Sequence, residues 1–301
     1  MLFSSAYCIR TEGRFSIRVV LKNMNKTPPI AEKFIQIDNS VLRLTAPNPS
    51  FMTGAGTNTY IIGKNDFLVI DPGPNIPKHI DMLLNATEGN ISYLVATHTH
   101  PDHSEAVKPL AKLTGAKVIG KSPPNDQDHD QTFKPNREIN DGDIINIEDI
   151  EIMAIETPGH ASNHVCFFSK NHKALFSGDH LMNGSSVLIN PPDGDMQNYI
   201  NSFKKIDSLE MKYIAPAHGA IFDNPYETIK HTLLHRLSRE ARIIKSLKNN
   251  PKSNLSNLVK YAYDDVDQSI HFIAERSLLA HLVKLEKEGI ANNEDDFWDL
   301  N

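Results

Sequence analysis

A short histidine-rich segment constrains the fold of this chain more than any other feature. Residues 97–103 have the sequence THTHPDH and directly follow the apolar segment 92–96, which is typical of a buried strand. In a loop that leaves such a strand, alternate side chains diverge, so His98 and His100 can bind one cation. Asp102 and His103, at the start of the predicted helix that follows, can reach a second cation. Taken singly, His98 also suits a core position and Asp102 a helix N-cap, so the neighbouring motifs decide between the two interpretations.

Three further segments end predicted strands with a potential metal ligand. They are 156–160 (ETPGH), 176–180 (FSGDH) and 214–219 (IAPAHG), which present His160, Asp179 and His218. Each ligand lies on a short loop with glycine or proline, where functional groups are usually held by a rigid scaffold. Imidazole and carboxylate donors suit zinc, and the lack of thiolates argues against a closed structural zinc site. Manganese or iron remains open as the native metal.

The composition is that of an ordinary globular chain. Its 301 residues suffice for about two domains, 40% are hydrophobic, and no apolar run approaches the roughly 18 residues of a membrane span. A net charge of −6 argues against nucleic-acid binding over the whole surface. Cys8 and Cys166 cannot form a disulfide framework, so any metal must be held by histidines and acids. Cys166 lies in an apolar segment and is expected in the core.

The pattern of apolar segments predicts an α/β fold. We expect strands within 34–45, 59–62, 67–70, 92–96, 117–120, 138–155 (broken at 141–143), 165–168, 174–176 and 213–215, and helices at 76–84, 102–113, 196–206 and 225–247. Strands predominate, and functional loops begin where strands end. This order indicates two sheets with helices outside them, in a catalytic domain at 34–224.

The N-terminal end differs from the rest of the chain. Residues 1–30 carry five basic residues against one acid, Glu12, and several serines. We predict a basic extension at 1–33 that is either disordered or similar to a transit peptide. The expected compartment is the cytoplasm, or the mitochondrial matrix if the extension is a transit peptide. A start codon placed too early, with Met24 as the working start, is a further interpretation.

The C-terminal part is predicted to be mainly helical. Residues 225–250 form a connecting helix, and within 230–248 it carries six basic residues against the single acid Glu240. Residues 251–301 predict two helices and a short β segment, which resembles a winged-helix module. Six acids against one base within 286–301 make DNA an unlikely partner for it. A docking or dimerisation surface, as in a homodimer, is the preferred interpretation, and no membrane partner is expected.

Together and in this order, the motifs resemble those of the metallo-β-lactamase superfamily over about residues 34–223. The resemblance implies a four-layer αββα sandwich and two zinc ions per chain. It assigns one zinc to His98, His100 and His160, and the other to Asp102, His103 and His218, with Asp179 as the bridge. Asp71, in the segment LVIDPG, matches an aspartate that would orient a ligand. A turn-forming role before Pro-Gly is the alternative for Asp71.

The same resemblance implies the chemistry. Two metal ions lower the pKa of a shared water, so hydroxide is the nucleophile near neutral pH, and Asp102 and Asp179 take part as ligands. His164 and His180, each beside a ligand motif, are predicted to donate a proton or to contact the substrate. Packing behind the ligands is the alternative for both histidines.

Within the superfamily, the chain is most similar to the β-lactamase-like protein 2 family, which has endoribonuclease members acting on single-stranded RNA. The similarity rests on the segment 48–60, on His235-Arg236 followed by Arg239-Glu240, and on the winged-helix-like end. Residues 191–195 and Tyr199 are similar to the corresponding residues of bacterial relatives, many of which have no known substrate. These features imply that the substrate contacts His235, Arg236, Arg239 and Tyr199.

Single-stranded RNA is therefore the first hypothesis for the substrate, and a basic helix beside the metal site would attract its phosphates. An ordinary solvated helix face is the alternative for that helix. A small-molecule substrate is the second hypothesis: a thioester cleaved as by glyoxalase II, which acts on S-acyl glutathione, or another ester or lactone. Asp179 argues against a true β-lactamase, and the complete ligand set argues against a non-enzymatic binding scaffold.

Overall fold

A computed structural model describes residues 28–183 and 186–301, together with the backbone of two short strands that pair with each other, β1 (Ile9–Thr11) and β2 (Arg14–Ser16). The choice between a disordered extension and a transit peptide concerns residues that lie mostly outside the described ones. Across the described parts of the chain, no helix has the length and apolar character needed to cross a membrane.

Strands follow one another in two long runs, within residues 34–70 and 117–178, with helices between and after them. The further strands are β3 (Phe34–Asp38), β4 (Val41–Thr45), β5 (Asn58–Gly63), β6 (Phe67–Ile70), β7 (Ile91–Val95), β8 (Lys117–Gly120), β9 (Arg137–Glu138), β10 (Ile144–Ile147), β11 (Ile150–Glu156), β12 (Val165–Ser169), β13 (Ala174–Gly178), β14 (Tyr213–Pro216), β15 (Ala291–Glu294) and β16 (Phe297–Leu300). The helices are α1 (Pro77–Thr87), α2 (Pro101–Ser104), α3 (Val107–Thr114), α4 (Met196–Asp207), α5 (Pro225–Asn249), α6 (Leu255–Ala262) and α7 (His271–Lys287).

Two sheets pack face to face. Strands β3 to β9 form a seven-stranded sheet in chain order, and β10 to β14 form a five-stranded sheet in chain order. The pairs β6–β7 and β13–β14 are parallel, and β11 runs in the same direction as β13 because two antiparallel pairs separate them. Side chains such as Ile62, Leu68, Phe167 and Phe176 fill the space between the sheets.

Helices cover both outer faces of the sandwich. Leu83 of α1 and Leu110 of α3 pack on the seven-stranded sheet. Phe203 of α4 and Ile229 at the start of α5 pack on the five-stranded sheet. The apolar faces of both sheets are thereby removed from water, and the predicted four-layer αββα sandwich is confirmed.

The C-terminal module has its own core. The last turns of α5 contribute Ile243 and Leu247, which pack with Leu258 of α6, Leu278 of α7 and Trp298 of β16. Two helices followed by the β15–β16 hairpin form the winged-helix-like end that the sequence predicts. Because α5 belongs to both cores, it ties the module to the sandwich.

The helix predicted at 102–113 is in fact two helices, α2 and α3. The backbone N–H of Ala106 donates to the carbonyl of Gly73 at 3.0 Å, so this N–H is not available to a continuous helix. The strands predicted within 138–155 have the expected break at 141–143, between β9 and β10, and a further one, because a hairpin turn at Glu148 separates β10 from β11. The Glu148 carboxylate accepts the N–H groups of Lys64 and Asn65, each at 2.9 Å, and thereby fixes that turn.

Candidate active site

The predicted ligands meet at one edge of the sandwich, where strands of the same direction end. The segment 97–103 follows β7, His160 follows β11, Asp179 follows β13 and His218 follows β14. Parallel strands bring their carboxyl ends together, so loops that are far apart in sequence become neighbours. The structure thus brings together all seven ligands that the sequence predicts, in two groups.

The first group consists of three imidazole nitrogens. His100 Nδ1 lies 2.9 Å from His98 Nε2 and 3.1 Å from His160 Nε2. Nitrogen atoms bound tetrahedrally to zinc at about 2.0–2.1 Å would lie about 3.3 Å apart, close to the spacing seen here. The three nitrogens can therefore share one cation.

The second group combines one carboxylate with two imidazoles. Asp102 Oδ2 lies 3.5 Å from His103 Nε2 and 3.4 Å from His218 Nε2. The hydroxyl of Thr57, a residue that the sequence analysis did not single out, donates to the same Asp102 oxygen at 2.9 Å. This bond fixes the orientation of the carboxylate toward His103 and His218.

Asp179 lies between the two groups. Its Oδ1 is 3.4 Å from His218 Nε2 and 3.7 Å from His103 Nε2, whereas its Oδ2 is 3.6 Å from His160 Nε2. The two oxygens of one carboxylate thus face different groups. This is the geometry required of a bridging ligand.

Contacts behind four of the five ligand histidines engage Nδ1 and leave Nε2 free for a cation. In each case Nδ1 faces an oxygen acceptor. His98 Nδ1 lies 3.1 Å from Thr97 Oγ1, and His103 Nδ1 lies 3.0 Å from Asp71 Oδ2. His160 Nδ1 lies 2.7 Å from the carbonyl of Leu188, and His218 Nδ1 lies 3.4 Å from the carbonyl of Gly56. When these nitrogens carry the hydrogens, each Nε2 lone pair points at its group.

Asp71 holds the ligand loop as well as His103. Its carboxylate accepts the backbone N–H of Thr97 at 2.7 Å and the Thr97 hydroxyl at 2.9 Å. Its backbone lies in the left-handed region, with φ of 50°, where few residues other than glycine are found. Asp71 therefore occupies the orienting position that the family resemblance assigns to it.

The two ligand groups differ in the direction in which their surroundings shift the pKa of a histidine. Burial, followed by the neighbouring His160 and His103, lowers the pKa of His100 to about 2. Burial also disfavours a charged His103, yet the carboxylates of Asp102, Asp71 and Asp179 outweigh it and raise the pKa of His103 to about 10. The cluster of carboxylates thus requires a positive charge at its centre.

A further observation indicates that the donor set fits metal ions. Within the described part of the chain, His103 Nε2 and Asp179 Oδ1 are buried without a hydrogen-bond partner. Buried polar atoms without partners are costly, so such atoms at a site indicate a missing ligand. A divalent cation in the second group would satisfy both atoms.

His164, predicted as a catalytic residue, lies behind the site rather than in it. It is buried, its Nε2 accepts the backbone N–H of Asp179 at 3.1 Å, and its Nδ1 donates to the hydroxyl of Thr157 at 2.9 Å. An added Cβ on Gly178 would lie 2.7 Å from His164 Nε2, so glycine is needed for this close approach. His164 therefore positions Asp179.

His180 and Tyr199, predicted as substrate contacts, also lie in the core. Neither residue lines the cleft above the ligands, and the Tyr199 hydroxyl donates to the carbonyl of His180 at 2.9 Å. The His180 ring packs against Tyr199 and Phe203, and burial lowers its pKa to about 3. Both residues support the five-stranded sheet instead of the substrate.

A cleft of about 700 Å³ opens above the ligands, and the C-terminal module forms one of its walls. This wall carries mostly apolar side chains: Val266, Ile270, Ile273 and Ala274, beside Tyr263 and the exposed Arg276. Phe51 and Met52 line the cleft from the segment before β5. The sequence predicts docking or dimerisation for the module and does not reveal this role, because it is the packing of α5 that brings α7 to the site.

Two arginines of α5, Arg236 and Arg239, line the cleft, and all three arginines of this helix are already engaged. Arg236 is 3% exposed, donates to the carbonyl of Val187 and lies over the Tyr199 ring. Arg239 is 7% exposed and forms a bidentate ion pair with Asp265, in which Nη1 lies 2.8 Å from Oδ1 and Nη2 lies 3.1 Å from Oδ2. Arg242 pairs with Asp264 and Asp265. The arginines of α5 are therefore not free phosphate-binding groups, whereas Lys230, Lys245 and Lys248 of the same helix are exposed but do not line the cleft. His235 is half-buried and lines the cleft.

The comparisons with known proteins agree with this geometry. The metallo-beta-lactamase superfamily matches residues 52–218, and the beta-lactamase associated winged helix domain matches residues 255–298. The beta-lactamase-like protein 2 homolog of Caenorhabditis elegans is 29% identical, over 87% of this chain and 89% of its own. An atrochrysone carboxyl ACP thioesterase of a Cryptosporiopsis species is 29% identical, over 75% of this chain and 69% of its own.

Solved structures show the same fold. A metallo-beta-lactamase family protein of Thermus thermophilus superposes with a TM-score of 0.74 at 16% identity, over 88% of this chain and 100% of the other. The first family match alone covers more than half of the chain and contains all seven predicted ligands. The chain therefore belongs to the metallo-beta-lactamase superfamily of metal-dependent hydrolases.

Proposed function

We propose that this protein hydrolyses a thioester or ester whose acyl part is apolar, with two zinc ions held by the two ligand groups. The observation that carries the proposal is the cleft wall formed by the C-terminal module, which places apolar side chains opposite the ligands. The reaction adds water across the acyl bond and releases an acid and a thiol or alcohol.

The ligand residues account for the hydrolytic half of the proposal. Bound zinc supplies a water of lowered pKa and a polarised carbonyl oxygen. The histidines of the first group are held neutral by burial, which leaves their nitrogens free to bind a cation. Asp179 would keep the two ions at one separation, and His164 holds the backbone of Asp179 in place.

The cleft wall accounts for the substrate half. Ile270 and Ile273 of the module and Phe51 and Met52 of the sandwich provide apolar surface around the metal ligands. Phe51 is 69% exposed, so its ring is free to cover a ligand. An apolar chain that leaves water for such a cleft gains about 0.8 kcal/mol per methylene group. The thioesterase named among the relatives supports the same substrate class.

Single-stranded RNA is the second candidate. The similarity to beta-lactamase-like protein 2 homologs supports it, as do the exposed Phe51 ring and the exposed Arg276 at the cleft, since bases stack on aromatic rings and phosphates pair with arginine. The ion pairs of Arg239 and Arg242 argue for the first candidate, because those two guanidinium groups already have carboxylate partners.

The test is a substrate series with purified full-length protein. We expect kcat/KM for acyl thioesters to rise by up to about fourfold for each added methylene until the cleft is filled. The Ile273→Asn variant should lose this dependence on chain length and keep wild-type activity toward an acetyl thioester. The Ile290→Asn variant is the matched control, because Ile290 is 39% exposed and does not line the cleft.

Two results would overturn the first candidate. One is cleavage of a single-stranded RNA oligonucleotide without cleavage of any thioester or ester in the series. The other is a rate that is independent of acyl length in the wild-type protein. The metal content of the same preparations tests the zinc assignment separately, with about two zinc ions per chain expected.

A further inference from the structure

We propose that His129 and Asp193, with Asp126 behind His129, form an additional divalent-cation site on the cleft wall, distinct from the two ligand groups. The sequence analysis did not single out His129 or Asp126. The three residues lie on loops between β8 and β9 and before α4, and together they offer one imidazole and two carboxylates.

Hydrogen bonding fixes the tautomer of His129. Its side chain is fully buried, and Nδ1 lies 2.7 Å from Asp126 Oδ1. That oxygen also accepts the backbone N–H groups of Asp128 at 2.9 Å and of His129 at 3.1 Å, which fixes its position. Nδ1 therefore donates to Asp126, and a neutral His129 presents a bare lone pair on Nε2.

Nε2 of His129 faces a carboxylate oxygen and has no hydrogen-bond donor or acceptor of its own among the described residues. The atom is buried and lies 3.6 Å from Asp193 Oδ2. A lone pair that faces a carboxylate oxygen at this distance is unfavourable unless a positive charge lies between the two atoms. Bonds of about 2.0–2.2 Å from both atoms to one cation would meet at an angle of about 120°, which suits zinc.

Hydrogen bonds fix the positions of both metal donors, His129 and Asp193. Asp193 Oδ2 accepts the backbone N–H of Ser162 at 2.9 Å, and Asp126 holds the ring of His129 as carboxylates commonly hold metal-bound histidines. His129 and Asp193 both line the cleft, so a cation can enter from solvent. The ring centroid of His129 lies 4.8 Å from that of His100, which places the site beside the first ligand group.

The donor set also defines the class of cation. A nitrogen and a carboxylate oxygen favour zinc or cobalt over magnesium or calcium, which prefer oxygen ligands alone. Two protein ligands bind more weakly than the three or four of the other groups. We therefore expect a weaker binding step, which becomes occupied only after the two ligand groups are filled.

The experiment counts bound metal by difference. The full chain is dialysed to equilibrium against increasing Zn²⁺ and, separately, Co²⁺. The wild-type protein should bind one additional metal ion per chain, with weak affinity, that the Asp193→Asn and His129→Gln variants do not bind. Asp126→Asn should retain that ion with about 10–100-fold weaker affinity, because it disturbs only the residue behind the ligand. Asp141→Asn, an exposed carboxylate outside the cluster, is the matched control and should bind as the wild type does.

Equal metal counts in the wild-type protein and both ligand variants, with all three folded by circular dichroism, would overturn the proposal. So would ¹⁵N NMR evidence that both nitrogens of His129 carry protons in the presence of saturating Zn²⁺, because an imidazolium between two carboxylates needs no cation. The difference of one equivalent is independent of substrate and of the number of tightly bound ions. Its failure would therefore leave the proposed hydrolase untouched, and failure of the hydrolase would leave this site untouched.

Discussion

The ligand loops and helix α5 both carry clusters of ionisable side chains to the same cleft, but these side chains are held in opposite ways. At the ligand loops, the outer ring nitrogens of four histidines are bonded to the scaffold, and their inner nitrogens face one another at the site. On α5, the guanidinium groups of Arg239 and Arg242 end in ion pairs with Asp265. The first arrangement leaves donors available for a ligand, whereas the second uses its charges to fasten the C-terminal module.

The difference shows what an ionisable cluster needs in order to act. Donor atoms that lack internal partners, such as His103 Nε2 and Asp179 Oδ1 among the described residues, require an external ion. Charges that find internal partners contribute to stability instead.

Replacement of a first-group ligand should have the largest effect. His100→Ala removes the nitrogen that lies within 3.1 Å of both other nitrogens of the first group, so we expect loss of one metal ion. We also expect kcat/KM to fall more than about 100-fold, which exceeds the effect of replacing a residue behind a ligand. Metal analysis and turnover on the preferred substrate measure this. His231→Ala, an exposed histidine on α5, is the control. Wild-type turnover of His100→Ala at saturating zinc would contradict the ligand role.

A smaller effect is expected for the residue that orients His103. Asp71→Asn keeps the shape of the side chain but weakens the bond to His103 Nδ1, and metal affinity should fall by about 10–100-fold. Competition with a chelator of known affinity measures the change. Asp81→Asn, an exposed carboxylate on α1, should leave the affinity unchanged. Equal affinities for the two variants would show that Asp71 serves only the turn.

On α5, the effect should appear in stability. Arg239→Gln removes the ion pair with Asp265 and the bond to the carbonyl of Ala262, so we expect a loss of about 2 kcal/mol in the free energy of unfolding. Urea denaturation measures the loss. Lys245→Gln, an exposed cation on the same helix, should stay within about 0.5 kcal/mol of the wild type. A stable Arg239→Gln protein that binds RNA less well would reverse our assignment of this helix.

The smallest effect concerns pH. The hydrogen bonds from Arg239 lower the pKa of Asp265 to about 2, below the value of about 3.9 for an unfolded chain. The contribution of this carboxylate to stability is thus fully present above about pH 4 and is lost as the pH falls toward 2. Asp265→Asn should be less stable than the wild type at pH 7 by under about 1 kcal/mol, since the carboxylate is half exposed. The difference in urea midpoint should shrink from pH 4 downward, and a constant difference would contradict the pairing.

The ligand motifs were predictable because each consists of a ligand at the end of an apolar strand, and strand ends of one direction meet at one sheet edge. The division of the helix at 102–113 was not predictable, because it depends on the carbonyl of Gly73, which only the fold brings to Ala106. Thr57 lay inside a quoted motif, yet its bond to Asp102 joins residues 45 positions apart. His129 lies in a loop with several acids and gave no periodic signal.

The strand pattern indicated two sheets with helices outside them and placed candidate ligands at strand ends, whereas the four-layer order and the division of seven ligands into two groups followed from the family resemblance. What lies opposite the ligands depends on how the chain folds. The packing of α5 against α6 and α7 turned its arginines toward Asp264 and Asp265 and turned the apolar face of the module toward the cleft. A row of basic residues in a sequence does not reveal which carboxylates will neutralise it, because ion pairs join groups that the chain brings together only when it folds.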